Sequence, residues 1–384
     1  MADGALDGLV IADFSRVLAG PLATQLLGDL GAEVIKIESP AGDDTRRWRP
    51  PEHGGVSTYY LGVNRNKKSV VFDLHSARDR QLARELAARA DVVVENFRPG
   101  TLQRFGLDYA SVSAMNPRSV YASISGYGEG AGARLPGYDL TVQAASGLMS
   151  LTGPPDGEAF RTGVSVFDVT TGLHATIGIL AALRHRDRTG AGQHVRVNLL
   201  GTALAVMSNH ALAAVVGDAP SRMGNAHPSL FPYEPFRAAD GEIVVVAAND
   251  KQFGALARVL EHPEWAEDDR FSSPRARNIH RDILRPLLTR ALGSRRVQEW
   301  FELLTAAGIP CAPINSIEAG IAFAEQLGLE PVVELDAHGA AVPGIRNPIG
   351  MTATPPRYDL PPPVLDEHGE HVRDWLLQAG SASP

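Results

Sequence analysis

Residues 9–37 read LVIADFSRVLAGPLATQLLGDLGAEVIKI, and their reading decides the fold. Leu9–Phe14 and Glu33–Ile37 are apolar at nearly every position rather than at every second one, as strands covered on both faces are. Between them lie the loop Ser15-Arg16-Val17-Leu18-Ala19-Gly20-Pro21 and a helix running through Leu30. The unit then repeats. Lys68–Leu74 reads as a strand, Ala77–Ala90 as an Arg-rich amphipathic helix and Asp91–Glu95 as a strand, followed by a helix from Thr101 and a strand over Ser119–Ile124. β-branched runs alternating with helices predict a doubly wound α/β domain around a parallel sheet.

Such sheets take ligands beyond the carboxyl ends of their strands. The first βα turn, V-L-A-G-P-L-A-T, lacks the G-x-G-x-x-G run that lets a pyrophosphate approach the backbone, which argues against a nicotinamide cofactor. Its backbone amides at a helix start suit a phosphate or an amide-bearing ligand, or are simply those of a tight turn. Polar clusters recur at comparable strand ends: Asp43–Trp48, Asn64–Lys68, and Glu95–Gly100 with Arg104 one turn beyond. Singly each reads as a solvated loop. Together they supply guanidinium for phosphate and a ring face for a base, as an adenine nucleotide requires.

Further along, Arg161–Asn198 reads RTGVSVFDVTTGLHATIGILAALRHRDRTGAGQHVRVN. Gly163–Phe167 has β-like composition. An apolar helix then runs to about Arg186, with Val169, Leu173, Ile177, Leu180 and Leu183 at core-facing spacing, and ends in the turn Thr189–Gly192. Asp168 stands at the helix mouth, where unpaired amides and the dipole favour an ionised carboxylate. Two readings compete there: a helix cap, the commoner role for such an Asp, or a nucleophile towards an acyl carbon.

The organisation changes after Asn198. Residues 1–200 form the large domain, Leu199–Val216 continues as an apolar helix, and 201–225 includes a linker. A smaller α+β domain spans 226–325, with a hairpin-edge strand over Asp240–Ala248 and helices from Lys251 to about Ala307. The return segment 326–384 is strand- and proline-rich, and its last helix, Glu367–Leu377, packs back on the first domain.

The chain has 384 residues, 44% hydrophobic and 21% charged, with a net charge of −8. That balance argues against nonspecific nucleic-acid or anionic-membrane binding. The N-terminus lacks a signal-peptide pattern, and the apolar run Ala175–Leu183 falls short of a span of about 20 residues. The one cysteine, Cys311, fits a reducing cytosol and the role of a small hydrophobe. No metal site is expected.

Taken together, Asp13-Phe14 with Val17–Pro21, Gly31–Glu38, Asn64–Ser69, Val94–Gly100 and the Asp168 helix resemble the class III CoA-transferase family, which includes formyl-CoA transferase and α-methylacyl-CoA racemase. The resemblance implies an interlocked homodimer and a large domain built from both chain ends. It implies Asp168 as nucleophile, and Val17, Leu18, Ala19, Asn96, Phe97, Arg104 and Tyr138 in the coenzyme A site. No permanently bound cofactor is implied; CoA is a co-substrate. Several members carry a basic residue after the second strand, where Ser39-Pro40 stands here, so Arg46 or Arg47 is assigned to phosphate. Tyr59, Asp139 and His227 are candidate substrate contacts, His227 with loop ordering as its competing role. The stretch RMGNAHPSLFPYEPF resembles the branch that uses succinyl-CoA and small dicarboxylates, so transfer through an aspartyl–CoA thioester is the expected activity. Racemisation at the α-carbon is the rival, and the matching Gly137-Tyr138-Asp139 lacks its His. A non-catalytic acyl-CoA-binding protein is the third reading.

Overall fold

The computed structural model, which describes residues 4–337 and 339–380, opens with β1 (Val10–Asp13), α1 (Ala19–Asp29) and β2 (Glu33–Glu38). An excursion carrying β3 (Glu52–His53), β4 (Val56–Ser57) and α2 (Thr58–Leu61) leads to β5 (Lys67–Val71). Next come α3 (Ala77–Arg89), β6 (Val92–Glu95), α4 (Tyr109–Met115), β7 (Val120–Ser125), α5 (Asp139–Ser146), α6 (Val166–Thr189) and β8 (His194–Asn198). The six long strands pair in the order β5-β2-β1-β6-β7-β8, all parallel. Strand order reverses between β1 and β6, where the loops that follow the two strands diverge and leave a crevice.

Consecutive apolar positions are needed because neighbouring residues of one strand enter different layers. Ile11, Val92 and Val94 join a cluster with Ala23 and Leu27 of α1 and Ala175 and Ile179 of α6. Ala12 and Val93 turn the other way, against Leu82 and Leu86 of α3.

Three local expectations fail. Gly163–Phe167 is no strand, since the helix begins at Val166 and Asp168 lies inside its first turn. No α-helix starts at Thr101; a short 3₁₀ turn at Gln103–Phe105 ends on Gly106 (φ 66°), and α4 begins at Tyr109. The apolar run after Asn198 splits into α7 (Leu199–Val206) and α8 (Ser208–Val215), because Ser208 takes φ 43°, which no α-helix accommodates. The edge strand β8 was not anticipated either.

The inward face of α6 also differs from the expected one. Thr171, Gly172, Ala175, Thr176 and Ile179 are buried, while Leu173 and Ile177 are 43% and 62% exposed. Closeness decides this: a Cβ on Gly172 would meet the Ala19 carbonyl oxygen at 2.6 Å, so α1 approaches only over small residues. By length and composition the 24-residue α6 is apolar enough to cross a membrane, and Ala175–Leu183 undercounts it. Its core-facing side is instead buried against the sheet.

The chain divides into two units, 1–148 with 162–211 and 330–384, and 149–161 with 212–329. No separate linker spans 201–225, and the segment 149–161 belongs with the second unit. That unit holds β9 (Tyr233–Arg237), β10 (Glu242–Val246), α9 (Asp250–Val259), α10 (Pro274–Ile279), α11 (Arg281–Leu292), α12 (Val297–Ala306), β11 (Cys311–Pro313) and α13 (Ile317–Gln326). Its antiparallel sheet, β11-β10-β9, packs Ile243 and Val245 against Phe253, Leu288 and Trp300.

The return segment adds the hairpin β12 (Val332–Ala337) and β13 (Ala340–Ile345), then α14 (Gly369–Gly380), to the first unit. Val372 and Leu376 enter the cluster beside α3, and Arg89 donates to the Trp375 and Leu376 carbonyls. The large unit is thus built from both chain ends. A buried polar node ties them: Asp29 accepts two hydrogen bonds from Arg65 (2.8 and 2.6 Å) and others from Asn66 and Asn347.

Candidate active site

The loops that follow β1, β6 and β7 surround a cavity of about 180 Å³ at the crevice. The first gives Arg16, Val17, Leu18 and Ala19, the second Asn96, Phe97, Arg98 and Pro99, and the third Gly126–Gly128, Gly132, Ala133 and Leu135–Tyr138. Asp168 lines the same cavity. Of the expected ligand contacts, Val17, Leu18, Ala19, Asn96, Phe97 and Tyr138 therefore meet the expected nucleophile around one space. Asn96 does so with its amide already engaged, accepting from Arg16 N (2.9 Å) and donating to Arg16 O (2.6 Å).

Asp168 is the third residue of α6, not its cap. Ser165 precedes the helix without a capping bond, and Asp139 of α5 takes over that task. Asp139 Oδ1 accepts from the backbone amides of Phe167 (2.7 Å) and Asp168 (3.1 Å), and Oδ2 accepts from Gln143 Nε2. This corrects two expectations. Asp139 is buried beneath the helix start, so it is not a substrate contact. The amides that were to favour an ionised Asp168 already serve Asp139.

The electrostatics reverse accordingly. Burial, and then the neighbouring Asp139 charge, push the Asp168 carboxyl up to about 7. No cation pairs with it among the described residues. At neutral pH such a group is part carboxylate, poorly solvated and unpaired, the state in which it attacks carbon best. Beside it, Tyr59 hydrogen-bonds Ser165 and packs edge-to-face on Trp48 at 5.1 Å. Burial, and then Asp168, raise the Tyr59 hydroxyl to about 12, so it stays a neutral donor.

Other expected residues fall elsewhere. Arg46 is bound by both Glu38 oxygens (2.8 and 2.6 Å), lies over the Tyr60 ring at 3.9 Å and donates to the Pro363 carbonyl. Its assignment to phosphate is corrected, since that guanidinium is a structural tie between β2 and the return segment. Arg47 pairs with Asp44 at the surface. Arg104 does not line the Asp168 cavity. It belongs to an adjoining cavity of about 420 Å³ with Arg98, Thr101 and Arg134, and the two spaces share Arg98, Pro99 and Ala133. In the second unit, His227 accepts from the amides of Ser229 and Leu230 through Nδ1 and packs against Tyr233, which is the geometry of loop ordering.

Residues that their sequence pattern does not single out also shape the cavity. Arg16 lies over Phe97 at 5.8 Å. Gly126 and Gly137 cross so closely that a Cβ on either would lie about 2.5–2.6 Å from the other's Cα. Their signal was present in the paired Gly-Tyr sequences at 126–127 and 137–138, and only the crossing explains it.

The description CoA-transferase family III belongs to the family model that matches residues 6–369. Succinate–glutarate CoA-transferase of Agrobacterium fabrum is 41% identical, over 96% of this chain and 94% of that protein. Human succinyl-CoA:glutarate CoA-transferase is 39% identical, over 97% of this chain and 86% of that protein. The crystal structure of a CAIB/BAIF family protein from Brucella suis superposes with a TM-score of 0.86 at 40% identity, covering 97% of this chain and 100% of that one.

Proposed function

The chain belongs to CoA-transferase family III, and from that premise we propose that it moves CoA from succinyl-CoA to a small dicarboxylic acid through an Asp168–CoA thioester. The observation that carries the reading is the Asp168 carboxylate, part-desolvated, unpaired by any cation among the described residues, and facing the cavity at the strand-order reversal. Its oxygen attacks the thioester carbonyl, forming a mixed anhydride and releasing CoA thiolate. The thiolate attacks the aspartyl carbonyl and the donor acid leaves as carboxylate. An acceptor carboxylate then attacks the thioester on Asp168, and CoA thiolate attacks the new anhydride at the acceptor's carbonyl, regenerating Asp168. Both intermediates hydrolyse readily, so the site must exclude water. Arg16 and Arg98 at the cavity, with Arg104 and Arg134 beyond, are the guanidiniums assigned to the CoA phosphates in place of Arg46.

Racemisation fares worse. It needs a base on each face of the α-carbon, whereas Tyr138 stands where the racemase motif has His and Asp139 is engaged by two helix amides. Labelled glutarate or succinate entering the CoA pool, with no deuterium uptake at the α-carbon, supports transfer. Deuterium uptake without acid exchange sinks it.

Because the nucleophile must be ionised, kcat/KM should rise as pH passes through about 7 and level off above it. Asp139→Asn keeps an acceptor for both helix amides but removes the charge, so the midpoint should move to lower pH. An unmoved midpoint would show that burial alone sets it.

The homodimer rests on the stripe that α6 and α7 leave uncovered: Leu173, Ile177 and Leu204, at 43%, 62% and 47% exposure. Sedimentation equilibrium should give a dimer for the wild type and a monomer-shifted equilibrium for Ile177→Glu. An unchanged mass in that variant would remove this stripe from the interface.

A further inference from the structure

Val17 is the one β-branched residue with a left-handed backbone among the described residues, at φ 71°. The other non-glycine residues in that region are Asn66, Ser208, Glu261, Glu330 and Asp366. A β-branched side chain avoids this region, and such outliers persist only where their surroundings over-determine them. Here they do so from two sides. Asn96 grips both the amide and the carbonyl of Arg16. Asp43 receives the Val17 amide at 3.4 and 3.3 Å from its two oxygens.

Asp43 is itself fixed from below. Lys36 Nζ donates to Asp43 Oδ2 and to the Ser15 carbonyl, 3.0 Å each, and both charged side chains are 1% exposed. Thr45 donates to Asp43 Oδ1 through its amide and hydroxyl, and Glu38 accepts from the Asp43 amide. Burial would raise the Asp43 carboxyl, but Lys36 and the Thr45 amide more than offset it and hold it at about 2, so this acceptor is ionised throughout the working range. The bend ends on Leu18 and Ala19, which line the cavity, and α1 starts there without a capping side chain.

We propose that Lys36 and Asp43 are positioning residues: with the Asn96 grip they hold Val17 in its left-handed conformation, so the Val17–Ala19 floor has its CoA-binding shape before CoA arrives. The proposal rests on the CoA-binding reading of this cavity and adds two buried residues that touch no ligand. Pre-shaping avoids the fractional loss of affinity that a floor populating several conformations would impose.

The test uses full-length Asp43→Asn, alone and combined with Val17→Gly, whose glycine accepts φ > 0 without the Asp43 grip. Asp43→Asn should weaken binding of free CoA, measured by calorimetry, and raise KM for acyl-CoA by about tenfold, with kcat at saturation within about twofold, and the added glycine should recover part of the loss. Amide hydrogen exchange of residues 15–20 should accelerate in the free variants and return towards the wild-type rate with CoA bound. If Asp43→Asn does not fold, Asp43→Glu, which keeps the charge but displaces the carboxylate from the Val17 amide, is measured in its place. Unchanged affinity in a folded variant overturns the proposal. So does weakened binding without faster exchange, which would mean that Asp43 acts through its charge and not through the shape of the floor. A wild type that binds no CoA would sink the CoA reading itself, whereas wild-type binding with indifferent variants sinks only this assignment.

Discussion

Asp168→Asn is expected to fold, to bind acyl-CoA, and to lose about ten-thousandfold or more in kcat, the scale seen when a covalent nucleophile is removed. Asn cannot form the anhydride, so no CoA-modified protein should appear by mass spectrometry after incubation with succinyl-CoA. Stability should move the other way. The folded chain holds the Asp168 proton more tightly than the unfolded one does, from an ordinary 3.8 to about 7. What this group contributes is therefore full below the ordinary value, falls as pH rises between the two, and is flat above. That difference bounds the cost of ionisation at about 4 kcal/mol, and water at the cavity mouth lowers it, so Asp168→Asn should gain roughly 1–2 kcal/mol at pH 8 and little at pH 4. Residual turnover near the wild-type rate would end the covalent mechanism. A variant less stable at pH 8 would end the account of Asp168 as a destabilised carboxylate.

Asp29→Ala should have the largest effect on stability. The carboxylate is fully buried beneath two Arg65 nitrogens, Asn66 and Asn347, and removing it strands a guanidinium that is 5% exposed. Breaking a buried pair from one side costs about 3–5 kcal/mol. The melting temperature of the large unit should fall by roughly 10 °C. Arg65→Met in the Asp29→Ala background should recover part of the loss, because the stranded charge goes with it. A fall of under about 1 kcal/mol in the single variant would mean that solvent reaches the node and that the return segment is held by other contacts.

The sheet was legible because its signal is local. A run such as Val92–Glu95 can only be a strand between two layers, and its neighbours repeat the pattern. The place of the cavity followed from the general habit of such sheets. What was hidden depended on partners far along the chain. Asp139 reaches a helix that starts 27 residues later, and Arg46 meets a carbonyl at 363; neither is visible in the flanking residues. The inward face of α6 was misread for a different reason. Hydrophobic spacing picked Leu173 and Ile177, but how near α1 can come decides the packing, and that favours Gly172 and Ala175. At the mouth of α6 the amides that would favour an ionised Asp168 are already bonded to Asp139.

The order in which the ribosome delivers these parts has its own consequence. Phe72 and Val70 of the early strand region are shielded by a cluster that includes Val372 and Leu376. Until that last helix leaves the exit tunnel, the nascent sheet carries an oily flank and an unsatisfied Asp29 node, since Asn347 also comes late. The growing polypeptide thus exposes aggregation-prone apolar surface through most of its synthesis, and a truncation that removes Val372 and Leu376 should destabilise the large unit.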